Sequence, residues 1–512
     1  QGSVASGQDA TVVGRGATGI ATEVSAYGFS ADATANLASA FGANAQATGA
    51  GATALGNNAQ ATATDTLAVG LSAVANGATA TAVGDGSSAG LNATAVGQGA
   101  SATGGVGAGT AVGKGATAVS QATAVGHGAI ASQLNSVAVG GGSLASIGAG
   151  ATSVGHACTA HGANSVAMGF QAFVTTNASG GVAIGQGTTV DRPDCVAVGR
   201  AIDLSSASAT LAVVVGTLTG AVTGSAVTSV GAGNNIGVGV SAVTAIGAGV
   251  TATFSGTTAV GRSAAATAAQ ATAIGNGAAA NGTDSTAIGQ VAQATSSLAT
   301  ALGQDAEALA AQATAIGAVS RASTTNSTAV GEDAQATTGN DGTCVGASSR
   351  ASASQATALG KSAQATASNA LALGWGAVAS HADSIAIGAN AITSGVGLGN
   401  WGSTTTPIAL RTFAGVQFPT TTKTGAYTAT KNDHTILADA TAGAFTVTLP
   451  PAASFPNLIL TVKKIDATGN AVTIDGDSAE TIDGAATQAL AAQWNAKTVQ
   501  SDGTAWFITA VV

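Results

Sequence analysis

The chain has 512 residues; only 7% are charged and 74 are glycine, while apolar residues reach 46% and the formal net charge is −9. Disorder needs low hydrophobicity with high charge, and collagen needs Gly at every third position with abundant proline, so this chain with six prolines is neither. The acidic balance argues against a nucleic-acid partner, and the lack of any run of 18 apolar residues argues against insertion into a membrane as a helix.

From the N-terminus onward, a strand-like unit ending in glycine recurs, as in Thr272-Ala273-Ile274-Gly275 and Thr286-Ala287-Ile288-Gly289. The glycine falls at 14, 28, 42, 56, 70 and 84, wobbles in spacing from 97 to 247, and locks again at 261, 275, 289, 303, 317 and 331. The series ends at 388 and makes 27 units of about 14 residues. A large apolar residue precedes the glycine in all 27, and Ala stands two before it in 22. Side chains alternate faces along a strand, so the large residue and the Thr or Val three before the glycine share one face, and the Ala takes the other. Helix is excluded because the apolar spacing has no 3.6 period.

A coil this short cannot bury its own apolar face, so stacking is obligatory. The predicted fold is all-β: a parallel β-roll solenoid of about 27 coils, roughly 130 Å long at ~4.8 Å per coil. The Ala column is read as an outward, closely packed surface. That makes Ala273, Ala287 and Ala301 candidate trimer-interface residues.

The units Asn135-Ser136-Val137-Ala138-Val139-Gly140, Asn164-Ser165-Val166-Ala167-Met168-Gly169 and Asp383-Ser384-Ile385-Ala386-Ile387-Gly388 resemble the Hep/Hag repeat of trimeric autotransporter adhesin heads over residues 4–399. The resemblance implies a left-handed roll, three chains about one axis, and a role in adhesion at a surface. Most units carry Thr where that family favours Val.

Residues 400–426, with Thr404-Thr405-Thr406-Pro407 and Pro419-Thr420-Thr421-Thr422-Lys423, read as a neck and linker. From 427 to 512 six alternating segments are predicted strands: Thr435–Ala438, Phe445–Leu449, Ile459–Lys463, Ala471–Ile474, Lys497–Gln500 and Trp506–Ala510. They suggest a small antiparallel sandwich or barrel. Asp433-His434-Thr435-Ile436-Leu437, Thr446-Val447-Thr448-Leu449-Pro450 and Ser501-Asp502-Gly503-Thr504-Ala505-Trp506 resemble the C-terminal module of phage tail-fibre proteins. The adhesin family would continue instead into a coiled-coil stalk and a membrane barrel, for which neither heptads nor barrel strands are seen.

No catalytic set stands out, and the chain is read as a non-enzyme without a cofactor. Asp475, Asp477, Glu480 and Asp483 could be drawn as a calcium loop or a hydrolase pair, but Asp-Gly turns explain them. Three scattered cysteines (Cys158, Cys195, Cys344) offer no metal-ligand spacing. His127 and His156 directly follow repeat glycines and are placed on exposed turns. Trp375, on a turn, and Trp401, in the neck, are candidate receptor contacts; Trp494 and Trp506 are placed in the core. The resulting expectation is a homotrimeric phage fibre at the virion surface, joined to other virion proteins, that binds a host-surface glycan or protein. The alternative is a bacterial surface adhesin or extracellular filament.

Overall fold

The computed structural model describes residues 2–103, 107–205, 211–218, 222, 224–397, 399–401 and 418–512. The chain divides into two compact units, residues 1–408 and 409–512. Most of the expected neck, residues 402–417, lies outside the described residues.

The first unit is the expected solenoid. Each coil contributes a three-residue strand before the repeat glycine and a two-residue strand after it, such as Thr286–Ile288 and Gln293–Ala294. Both pair in parallel with their counterparts one coil away: Thr286↔Thr300, Ala287↔Ala301 and Ile288↔Leu302 on one side, Gln293↔Glu307 and Ala294↔Ala308 on the other. Backbone groups are therefore satisfied between coils rather than within them, as when the Gly289 amide donates to the Ile274 carbonyl at 2.8 Å and Gln293 to Ala306 at 2.8 Å. On the longer strands this pairing runs from Val13↔Tyr27 to Leu373↔Ile387, with a register shift between Gly216 and Leu218.

The repeat glycine is fixed by two constraints at once. Its φ lies between +118° and +155° throughout, a region open essentially to glycine alone. In addition, coils touch backbone to backbone there: a Cβ on Gly289 would sit 2.5 Å from the Gly303 carbonyl carbon, and closer still to its oxygen. The other turn positions are less demanding. Gly277 has φ +68° and an added Cβ would first meet Val291 at 3.8 Å.

The interior of the roll reverses one expectation. Ala273, Ala287 and Ala301 are wholly buried within the single chain. They belong to a core of four small inward side chains per coil, shown by Ala278, Ala280, Ser285 and Ala287. These side chains are enclosed by their own coils, so the Ala column cannot serve as a contact between chains. The large residues point outward instead. All three cysteines occupy these inward positions and are buried; burial pushes each thiol up from its ordinary range. Where coils lengthen, at glycines 199, 216, 231 and 247, the interior widens and takes Ile202, Leu204, Val214, Val227 and Ile236.

The second unit is a mixed rather than an antiparallel β domain. Thr420–Lys423, Thr435–Ala438 and Ile459–Lys464 run parallel, and the sheet closes antiparallel through Ala496–Ser501 and Trp506–Val511. A second sheet runs Tyr427–Thr428, Phe445–Thr448, Val472–Asp475 and Thr487–Leu490. All six predicted segments are strands; the two before Thr435 and the one at Thr487–Leu490 are additional. Thr420–Lys423, read as linker, is thus an edge strand. Successive strands alternate between sheets, which makes parallel neighbours where hairpins were expected. Between the sheets lie Ile436, Val447, Leu460, Val462, Ile474, Leu490 and Trp506.

One ion pair is buried here: the Lys464 ammonium, with a fully buried side chain, meets Asp466. Burial alone would raise the Asp466 carboxyl. The Lys464 ammonium, the Thr468 hydroxyl and the Ala440 and Thr468 amides outweigh burial and hold it far below the usual carboxylate range.

Two outcomes are expected. Gly289→Ala should destabilise its coil by about 3 kcal/mol and Gly277→Ala by about 1 kcal/mol; thermal melting with local amide exchange reads both, and equal effects would refute the close-approach argument. Because Asp466 titrates lower folded than unfolded, its contribution is full above an unfolded pKa of about 4 and fades as pH falls below it. Asp466→Asn should flatten the acid dependence of near-ultraviolet dichroism while lowering stability at neutral pH, since Lys464 is left buried without its counter-charge.

Candidate interaction surfaces

With Ala inside, the outer face of the longer strands carries two continuous columns. One is the residue before each glycine, including Ile274, Ile288, Leu302, Ile316 and Val330; the other is mostly Thr or Val two residues earlier. Ile274, Leu302, Leu359 and Leu373 are all exposed on the single chain. None of these positions holds a charge in any of the 27 units.

The opposite sheet is different. Its outward column reads Gln293, Glu307, Arg321, Gln335, Arg350 and Gln364 along consecutive coils. Glu307 and Arg321 form an ion pair at 3.2 Å, and Arg350 donates to Gln335 at 3.0 Å. Elsewhere this column is apolar, at Val74, Ile130, Leu144 and Phe173, so this sheet is mixed where the other is uncharged throughout. Four inward methyl-sized groups contribute about 3 kcal/mol per coil at ~0.8 kcal/mol per buried carbon. Covering one outward Ile, already about two thirds buried on the single chain at Ile274, would add a further ~0.5–1 kcal/mol.

The sequence-derived contacts fall as follows. Trp375 is 57% exposed on its turn. Trp401 ends a strand, Gly399–Trp401, and its side chain lies outside the described residues. Trp506 is buried and its indole N–H donates to the Pro450 carbonyl at 3.2 Å. Trp494 is not core: it is 55% exposed, with Lys463 over its ring at 5.5 Å. The residue sits at φ +71° in a turn before the Ala496–Ser501 strand, rather than in a strand.

His127 and His156 are exposed on turns as expected. His156 stacks on Phe170 at 5.6 Å, and His161 meets the edge of Phe173 at 5.9 Å. Burial lowers the His161 imidazole from its ordinary value. The carboxylates at 475–483 are not gathered around one point. Glu480 accepts the Ala452 amide at 2.9 Å, and Asp483 accepts the Ile508 amide at 3.1 Å. Among the described residues, no three His, Cys, Asp or Glu side chains are grouped to hold a metal, and no helix is long and apolar enough to cross a membrane.

The roll also has relatives at the level of its repeat. Segments 33–59, 61–87, 120–143, 146–172, 255–278, 266–292, 280–306, 294–320 and 365–391 match the YadA head domain repeat. Those starting at 266, 280 and 294 step by one coil each, so sequence match and structural register coincide. The matched segments lie on either side of residues 173–254, which contain the longest coils. No curated protein matches the chain, and nothing found supports a virion origin or the tail-fibre likeness of residues 427–512.

The outward column could have been found from the sequence. An apolar side chain in 27 of 27 units, with charge confined to turns and the other sheet, marks a covered surface more strongly than Ala does. The structure therefore moves the candidate interface from Ala273, Ala287 and Ala301 to the outward column. Changing Ala273, Ala287 and Ala301 to Glu should disrupt the coils themselves, because each places a charge in a methyl-sized cavity. Changing Ile274, Ile288 and Leu302 to Glu should leave the strand signal in circular dichroism intact. Loss of strand in both triples would show that the outward column belongs to the chain's own core.

Proposed function

We propose that the chain forms the head of a homotrimeric surface adhesin, in which the apolar outer faces of three rolls pack together along their length. The observation that carries this reading is the uncharged apolar column on coils that match YadA head repeats. A contiguous apolar surface of this extent is rare on a monomer and marks association. Three rolls meeting on that face would leave the Gln- and Arg-bearing sheets and the turns outward. Host-surface molecules would be met there, with Trp375 as one contact, and three weak sites on one rigid body would gain through avidity. The role is one of binding without catalysis, outside the cell or on its surface.

The test is the mass of the full chain by light scattering. The native chain should be trimeric, and the Ile274, Ile288 and Leu302 to Glu triple should fall to monomer with its strand signal retained. A monomeric native chain at micromolar concentration would overturn the assembly. Trp375→Ala should keep the trimer and reduce attachment to cultured host cells; unchanged attachment would remove Trp375 from the contact surface.

A further inference from the structure

The second unit carries a concave site that the adhesive reading does not use. A cavity of about 540 Å³ opens at the leading ends of three neighbouring parallel strands, Thr420–Lys423, Thr435–Ala438 and Ile459–Lys464. Its floor is aromatic: Phe418 stacks face to face on His434, with ring centres 3.9 Å apart and planes within 9°. Phe418 is 56% exposed and Ile459 is 41% exposed. Around them stand the carboxamides of Asn432 and Asn457.

The loops are fixed rather than loose. The Thr435 amide donates to the Pro419 carbonyl at 3.0 Å, Thr461 to His434 at 2.7 Å, and Asn457 to Ser501 at 2.9 Å. Asn457 also lines a second hollow of about 160 Å³ with Gln500 and Phe507, the latter 44% exposed. Two exposed aromatic rings thus flank a shared carboxamide.

The charges nearby are already spent. Asp433 accepts from the Tyr427 hydroxyl at 2.8 Å, the Thr430 amide at 2.8 Å and the Thr430 hydroxyl at 2.9 Å. Asp502 accepts from the Thr504 and Ala505 amides at 2.8 and 2.9 Å. Both carboxylates stay ionised within their own turns, so the site's recognition falls to flat apolar rings and neutral amides that both donate and accept.

Flat rings beside fixed amides suit a ligand with apolar faces and many hydroxyls. We infer that this paired hollow is a binding site for a neutral oligosaccharide, one unit resting against Phe418 and Ile459 and a more distant unit of the same chain against Phe507, at the far edge of the sheet. The two ionised carboxylates, with only Lys431 as a counter-cation lining the hollow, disfavour an acidic sugar. The inference deepens the adhesive reading and rests on it for its meaning, since it gives the head a receptor of stated chemistry.

The experiment uses the full chain on a glycan array, followed by saturation-transfer NMR with chitotriose, maltotriose and lacto-N-tetraose as neutral probes and sialyllactose as the acidic one. At least one neutral probe should bind. Phe418→Ala should weaken it tenfold or more, and Phe507→Ala should weaken the longer probes more than a disaccharide. Ile459→Ser, with a smaller perturbation of the loops, should weaken it in the same order. Absence of neutral binding, binding of sialyllactose alone, or binding unchanged in Phe418→Ala and Ile459→Ser would each overturn the site. These readouts are independent of the mass of the Ile274, Ile288 and Leu302 to Glu triple. A trimer without sugar binding sinks the site alone, and sugar binding by a monomeric native chain sinks the assembly alone.

Discussion

The close approach of one backbone to the next at the repeat glycine governs the rest of the roll. Coils that touch there through φ values only glycine adopts can be flat and short. A flat coil favours small side chains inside, mostly Ala and Ser, as the wholly buried Ala287, Ser285 and Cys344 show, with Val or Thr at a few places such as Val24 and Thr188. With the interior so narrow, the large residue before each glycine points outward. The outward apolar column then favours a covering surface, since the single chain leaves Ile274, Leu302, Leu359 and Leu373 exposed to water. Assembly in this reading follows from the glycine.

The wide coils test the same chain of cause. Between Gly199 and Gly247 the spacing rises to 15–17 residues, and the inward positions change to Ile202, Leu204, Val214 and Val227 in step. Buried Asn234 also appears here; it donates to Ser229 and accepts from the Val250 amide at 3.1 Å. Longer coils make larger cavities, and larger side chains fill them, at the native packing density that interiors require.

Much of this was legible from the residues. Periodicity placed the glycines, and alternation correctly set Ala and the large residues on opposite faces. What alternation cannot supply is which face is inside, and the ordinary rule that bulk goes inward gave the wrong sign at Ala273, Ala287 and Ala301. Coil perimeter decides it, and perimeter is a tertiary quantity. The second unit was harder for a related reason. Its strands alternate between two sheets, so Thr435 pairs with Thr420 and Thr461 rather than with the next strand along the chain. That topology alone brings Phe418, His434 and Asn457 together from three separate loops. Trp494 misled because apolar text at a turn looks like strand text until its φ of +71° is known.

The two sheets of the roll separate its tasks. In the proposed trimer the longer strands are the assembly face, where any charge would be buried against a neighbouring chain. The shorter strands and turns tolerate Glu307, Arg321, Arg350 and Trp375 because those side chains reach water. Substitution on the second set changes what the surface meets without altering the register, the interior or the covered face. The backbone ladder makes this separation possible, since coil-to-coil hydrogen bonds do not depend on the outward side chain. A roll so built can carry new contact residues coil by coil, and in the proposed trimer every such residue would be presented three times at fixed spacing.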